Sequence, residues 1–400
     1  MRHLSTLFLS AGLLLSPLVG LGAEGLCPEP PPLALLRSPQ LDSGYALGVS
    51  GHIAALMLGP KAGGQAALLM AGGCNFPEVS AANGGAKRFY AEVYLHGAAE
   101  GSSAWRLVGR LPEPTAYAAG QAFGGGVIIA GGQTLGGREL DLVYRLDLDP
   151  RGRVQRTDLP RLPEPRSGMA SALVGSRLYL IGGSVRGQLT TSAISLDLEH
   201  PEEGWRGEPH YPGAALLKVA ATALPSATAG RIVMIGSFAH SEGEAGVSTS
   251  LSCFLLDTQE GGGWKSLPAP PDSLREGATF GGGWIRPRGQ EAFAVGGGVN
   301  EYKFLPALER IQQLRRAKRL GQRKLVAQLE QESRQYLLHE PTWYRFTPFV
   351  LEYDLSQARW QRCEAETSPE HARADAAYVE DYIIGGEVKP GIRTNRISRP

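Results

Sequence analysis

Apolar runs that end in a pair of glycines recur along this chain. They read LLMAGG at Gly72, VIIAGG at Gly131, LYLIGG at Gly182, AFAVGGG at Gly296 and YIIGG at Gly385, while IVMIGS at Gly236 keeps only the first glycine. The intervals between these six sites are 59, 51, 54, 60 and 89 residues. A run of small residues precedes each, as in GMASALV, KVAATAL and EGATFGG. Most are followed by an apolar run with an acidic end (VYRLDLD, AISLDLE, CFLLDT, FVLEYDL). Then comes a tryptophan with a polar, proline-containing tail: AWRLVGRLPEP, GWRGEPHYPG, GWKSLPAPP and RWQRCEAETSPE. One Gly-Gly carries no fold information. Six such sites with partners in constant order do, because self-similarity at a fixed period marks a repeat architecture.

Each unit reads as four strands, the second closed by glycine and the fourth carrying tryptophan. That is a kelch-type blade of about 50 residues. Small residues on the first strand suit a crowded position near an axis, and glycine after the second permits a sharp exit and close backbone approach. Six units predict an all-β fold, a six-bladed kelch-type β-propeller. The last unit stops after YIIGGE and IRTNRIS, without a tryptophan strand, whereas PPPLALLRSPQ stands unused near the N-terminus. The sequence therefore predicts that the last blade is closed by the N-terminal strand, which removes a free edge. The long fifth interval predicts a helical insertion in the fifth blade at 303–340. There Leu314, Leu320, Leu325 and Leu329 recur roughly at helical spacing among basic residues. It reads as one or two amphipathic helices, and two roles stay open: a solvated helix packed on the blade rim, or a lid over the channel mouth.

The ends and the charge balance narrow the function classes. Residues 1–23 have a polar start at Arg2 and His3, an apolar stretch broken by Pro17 and small residues around Ala23. This is the pattern of a cleaved secretory signal peptide, so residues 24–400 are expected to form one propeller domain in the periplasm with no membrane attachment. Lys plus Arg number 40 against 39 Asp plus Glu, which leaves no global field for nucleic acid. Cys27, Cys74, Cys253 and Cys363 show no metal-ligand spacing, and their pairing stays open among three connectivities.

In this topology the loops after the glycine pairs and the loops leading into the first strands meet at one end of the channel, the usual place for a propeller pocket. The first set carries Asn75, Glu78, Arg138, Arg186, His240, Glu242, Asn300, Glu301, Glu387, Lys389 and Arg393; the second carries Tyr117, Arg166, Arg275, Glu276, His371 and Arg373. So arginine-rich a mouth favours a small acidic ligand, since guanidinium forks match planar anions, although each arginine can equally tie loops together. Arg166, in LPEPRSG, has the look of such a tie. Lys389-Pro390-Gly391-Ile392 fits a type II turn and sets Glu387 and Arg393 on facing strand ends. Spacing alone leaves that pair open between a ligand site and a plain cross-strand salt bridge.

The stretch GGEVKPGIRT resembles the catalytic loop of the bacterial N-acetylneuraminate epimerase (sialic acid mutarotase) family. GGGVNEYKF, the insertion and YRFTPFVLEYDLSQARWQRC resemble the segment before that loop, and GVSGHIAALMLGP with GGCNFP the segment after it. Here the following segment sits at the N-terminus, so the order is rotated, as in the cyclically permuted mutarotase branch. The resemblance implies a periplasmic isomerase acting on a free small-molecule sugar, with no metal and no redox cofactor. It puts the catalytic pair on Glu387 and Arg393. Asn75, Asn300, Arg275, Arg373 and His240 are the expected substrate-binding residues. The fourth repeat departs from the pattern with GSFAHSEGEAG. The alternative is a non-enzymatic kelch propeller that binds a glycan or a protein. Sialoside hydrolysis is disfavoured because the Asp-box motif is absent, and a kelch copper oxidase because no histidine ligand spacing stands out among the eight.

Overall fold

The computed structural model describes residues 33–35, 40–58, 66–97, 104–226, 230–240 and 247–399. The expected signal peptide, Cys27 and Glu242 lie outside them. The chain is mostly β, in small antiparallel sheets with a propeller-like arrangement. Among the described residues, six sheets have four or five strands. Their innermost strands are Ile53–Leu58, Ala119–Phe123, Ala170–Val174, Ala220–Leu224, Trp284–Pro287 and Ala377–Val379. The sixth sheet runs outward through Tyr382–Ile384 and Arg396–Ser398 to Leu33–Leu35, whose residues pair with Ser398, Ile397 and Arg396.

Apolar residues on both faces of the strands give each sheet two neighbours. In the fifth sheet Phe293 and Val295 pack with Val233 and Ile235 of the fourth, while Ala294 and Trp284 lie with Tyr378 of the sixth. Ile384 and Ile397 of the sixth join Leu68, Met70 and Tyr94 of the first. The core is thus divided among the spaces between successive sheets.

The glycine pairs explain how neighbours are held. A Cβ on Gly72, at φ +64°, would lie 2.2 Å from the carbonyl oxygen of Thr115 in the next repeat. The last glycine of the run donates its N–H across the same gap: Gly73 to Thr115 O at 2.7 Å, Gly132 to Arg166 O at 2.8 Å, Gly298 to Arg373 O at 2.7 Å and Gly386 to Val49 O at 2.8 Å. In the fourth repeat the strand does not turn at Gly236. It continues to His240 and pairs with Val247–Asp257, with an irregularity between Gly236 and Phe238. Tryptophans make a second tie, outward of the first. Trp205, Trp264 and Trp360 donate their indole N–H to the carbonyls of Pro160, Pro209 and Pro268, each on the preceding repeat, at 2.9, 2.7 and 2.7 Å.

Between the second and third strands of the fifth sheet stand two helices, Glu301–Arg319 and Arg323–Leu338. Asn300 caps the first by accepting from the Tyr302 N–H at 3.1 Å. Lys318–Glu330 and Arg310–Glu332 ion pairs join the two helices. No helix among the described residues is long and apolar enough to cross a membrane.

Candidate functional site

Glu387–Lys389 and Ile392–Arg393 form a hairpin closed by Pro390 and Gly391, with Glu387 directly opposite Arg393. Gly391 has φ +85°, the left-handed conformation that a type II turn requires at that position. Glu387 Oε1 accepts the Gly391 N–H at 2.9 Å and lies 3.0 Å from Arg393 Nη1. That Nη1 contact is off-line, an ion pair rather than an aligned hydrogen bond. The side chains are only 15% and 4% exposed, so this is not a solvated surface pair. Arg393 also donates Nε–H to Ser50 Oγ at 3.0 Å and lies over the Phe76 ring, 5.0 Å from its centre. Burial is the largest effect and works against its charge, but Glu387, Tyr117, Cys74 and Asp375 together outweigh it and the guanidinium pKa is raised. Ser50 and Phe76 come from the first repeat and the hairpin from the last, so the pair sits where the two ends of the chain meet.

A cavity of about 440 Å3 at the channel is lined by Tyr117, Lys218, Asp375, His52, Ser167 and Ser184 among others; Glu387 and Arg393 are not in its lining, and the pair adjoins it through Ala374, which bridges to Glu387 next to Asp375. Its rim has a regular construction. The residue two places ahead of each innermost strand has positive φ: Gly51, Tyr117, Gly168, Lys218, Gly282 and Asp375. Backbone hydrogen bonds link them around the channel, from Gly168 N–H to Tyr117 O, Tyr117 N–H to Gly51 O, Gly51 N–H to Asp375 O and Asp375 N–H to Gly282 O, at 2.7–2.9 Å. Three of the six positions use glycine, for which positive φ costs little. Tyr117, Lys218 and Asp375 keep large side chains there in spite of it. Lys218 Nζ pairs with Asp375 at 2.6 Å. His52 is buried, with neither ring nitrogen bonded among the described residues, and burial lowers its pKa to about 4, so it is neutral at pH 7.

The other expected ligand-binding residues are placed differently. Asn75 is buried, donating to the carbonyls of Gly44 and Gly48 at 2.6 and 2.8 Å and accepting from Tyr90 OH at 2.8 Å. Arg373 is buried beneath the last glycine pair, where it donates to Gly385 O, Arg396 O and Ser398 Oγ at 3.3, 3.1 and 2.7 Å and pairs with Glu370. Arg166 does the same in the third repeat, donating to Gly182 O and Ser192 O, both at 3.2 Å. Arg275 pairs with Asp272 and with Glu301. Asn300, besides its capping role, lines a second cavity of about 500 Å3 near Phe346, Phe349 and Val388. The structure brings Glu387 and Arg393 together and gives Asn75, Asn300, Arg275 and Arg373 partners inside the fold. His240 closes its strand, and its side chain is outside the described part.

The insertion touches the first repeat and the hairpin. Arg334 of the second helix donates to Asn83 of the first repeat at 3.3 Å, and Lys389 of the hairpin donates to His339 O at 2.6 Å. Burial is the first cause that raises the pKa values of Tyr336 and Tyr344; Tyr344 and then Glu387 add to it at Tyr336, and Glu387 at Tyr344. The sequence reading missed Lys87 and Lys218. The signal for Lys218 was available, since KVAATAL aligns its lysine with the first glycine of GMASALV. Nothing in the repeat pattern marks Lys87. Cys74, Cys253 and Cys363 are free thiols, and no metal-holding group of His, Cys, Asp or Glu occurs among the described residues.

No family model matches the chain. It is 24% identical over 242 residues to N-acetylneuraminate epimerase 1 of Escherichia coli O6:H1, a match that covers 60% of this chain. The chain spans 58% of that relative's length. The solved structure of YjhT superposes with a TM-score of 0.48 at 21% identity, covering 60% of this chain and 64% of that one.

Proposed function

We propose that the protein is a six-bladed kelch-type propeller that interconverts the anomers of a free acidic sugar, N-acetylneuraminate foremost. The observation that carries this reading is the buried Glu387–Arg393 pair beside a channel cavity of about 440 Å3, a size within the usual range for small-molecule sites. The partial likeness to an N-acetylneuraminate epimerase supports it. A rotated blade order, with the strand at Leu33–Leu35 completing the last sheet, would limit any linear match to part of both chains. Residues 1–23 are proposed to export the protein to the periplasm, where free sugar would be met.

The chemistry needs two proton transfers. A base takes the proton of the anomeric hydroxyl and an acid protonates the ring oxygen. The ring opens, the carbonyl carbon turns, and the ring closes on the other face. Glu387 is the base. Arg393 stays charged throughout. It steadies the Glu387 carboxylate and binds the sugar carboxylate or the oxyanion charge that develops on opening.

The test is anomer equilibration of N-acetylneuraminate followed by proton NMR. The protein should accelerate it over the blank, and Glu387→Gln should cut the acceleration by about 10²–10⁴-fold with the fold intact. Rates equal to the blank for sialic acids and common aldoses would sink the enzyme reading. Glycan binding that survives Glu387→Gln without catalysis would instead support a binding propeller.

A further inference from the structure

Ring opening leaves one role without a group, the acid that protonates the ring oxygen. The rim of the cavity narrows the choice. Of its three large side chains in the left-handed conformation, Lys218 and Asp375 hold each other at 2.6 Å. Tyr117, at φ +57°, has no such reciprocal role. Its ring lies so close over Gly51 that a Cβ there would meet ring carbons at 2.6 Å, so the first repeat leaves room for the phenol by lacking a side chain. Its hydroxyl lies 3.4 Å from Lys87 Nζ and 3.5 Å from Cys74 Sγ. Lys87 pairs with no carboxylate among the described residues, and its ammonium stands 5.4 Å from the centre of the Tyr117 ring and 6.0 Å from that of Phe76. Phe76 carries Arg393 in turn, at 5.0 Å. Tyr117 therefore lines the cavity and also borders the cluster that holds Glu387.

The geometry points to Tyr117 as the second proton-transfer group of the site, with Lys87 as the positioning residue that holds its phenol oxygen. This rests on the mutarotase reading above. On opening, Glu387 takes the anomeric hydroxyl proton, the bond from the anomeric carbon to the ring oxygen breaks, and the ring oxygen takes the phenol proton. On closing, the ring-forming hydroxyl returns its proton to the phenolate and Glu387 returns the other to the new anomeric oxygen, so no co-reactant is consumed. Lys87 stabilises the transient phenolate. The competing groups fit less well. His52 lines the cavity, but burial keeps it neutral, without an imidazolium proton to give, and Lys218 and Asp375 hold each other as an ion pair. Burial, then Cys74, Asp375 and Glu387, raise the phenol pKa against the opposing effect of Arg393, so the phenol keeps its proton at neutral pH.

The experiment is the NMR equilibration assay on the whole protein over a range of pH, with melting curves for each variant. Tyr117→Phe should lower kcat by about 10²–10⁴-fold and leave KM within about threefold. Lys87→Met should lower kcat by about tenfold with KM likewise within about threefold. Wild-type catalysis with Tyr117→Phe retaining more than about a tenth of the rate overturns this assignment alone. Wild type equal to the blank overturns the mutarotase reading and this assignment with it. If Tyr117→Phe fails to fold, a wild-type kcat in Lys87→Met overturns it.

Discussion

Arg373 and Arg393 belong to the same repeat and are both buried, yet they serve different ends. Arg373 is surrounded by carbonyl oxygens of Ile383, Gly385 and Arg396 and by Ser398, with Glu370 for its charge. Arg393 faces one carboxylate, one hydroxyl and one ring. The first arrangement consumes the donor capacity of a guanidinium within the backbone, as Arg166 does in the third repeat. Arg373→Met should therefore cost about 3–5 kcal/mol, because it orphans buried acceptors and a carboxylate together. Urea unfolding would show this as a lower midpoint, and an unchanged midpoint would refute the structural role. Residue type and loop position could not separate the two arginines in the sequence, since both follow or precede a glycine pair. What separates them is the direction of the side chain, inward under Gly385 or across the hairpin to Glu387. Asn75 presents the same difficulty. It lies in the loop after a glycine pair, and only the approach of Gly44, Gly48 and Tyr90 uses up its amide.

Elements were more legible than residues because each is written several times. The glycine pairs, the acidic strand ends and the tryptophan strands recur, and repetition separates pattern from chance. The proline-containing tails after Trp205 and Trp264 have a physical reason visible only in three dimensions: Pro209 O and Pro268 O accept from the tryptophan of the following repeat. Trp360→Phe keeps an aromatic ring against Phe293 and Tyr353 but removes the bond to Pro268 O. It should destabilise by about 1 kcal/mol, the net contribution of one partly buried hydrogen bond. A urea midpoint equal to wild type would contradict that. Two elements escaped the pattern. The fourth repeat lacks its second glycine, and its strand runs on to His240 because nothing forces a turn at Gly236. The helices at Glu301–Arg319 and Arg323–Leu338 were legible as helices, but the contacts of Arg334 with Asn83 and of His339 with Lys389 depend on tertiary packing that no period encodes.

At the scale of the molecule the two ends of the chain meet in one sheet, and the candidate pair stands at that seam. Gly386 binds Val49, Arg393 binds Ser50, and Leu33–Leu35 covers Arg396–Ser398. The strand at Leu33–Leu35 therefore does more than extend a sheet. It satisfies the outer edge of the strand that follows the hairpin, three residues beyond Arg393, and an uncovered edge would be free to pair with another chain. A chain starting at Gln40 keeps the residues around Glu387 but leaves that edge open. It should melt at a lower temperature than the full chain and lose about 1–3 kcal/mol for the missing ladder bonds. It should also self-associate with rising concentration, which sedimentation would detect. Adding a peptide with the sequence PPPLALLRSPQ should restore both properties, because the binding groove is the edge itself. Equal melting temperatures with no self-association would mean that the seam is held by the Gly386 and Arg393 contacts alone.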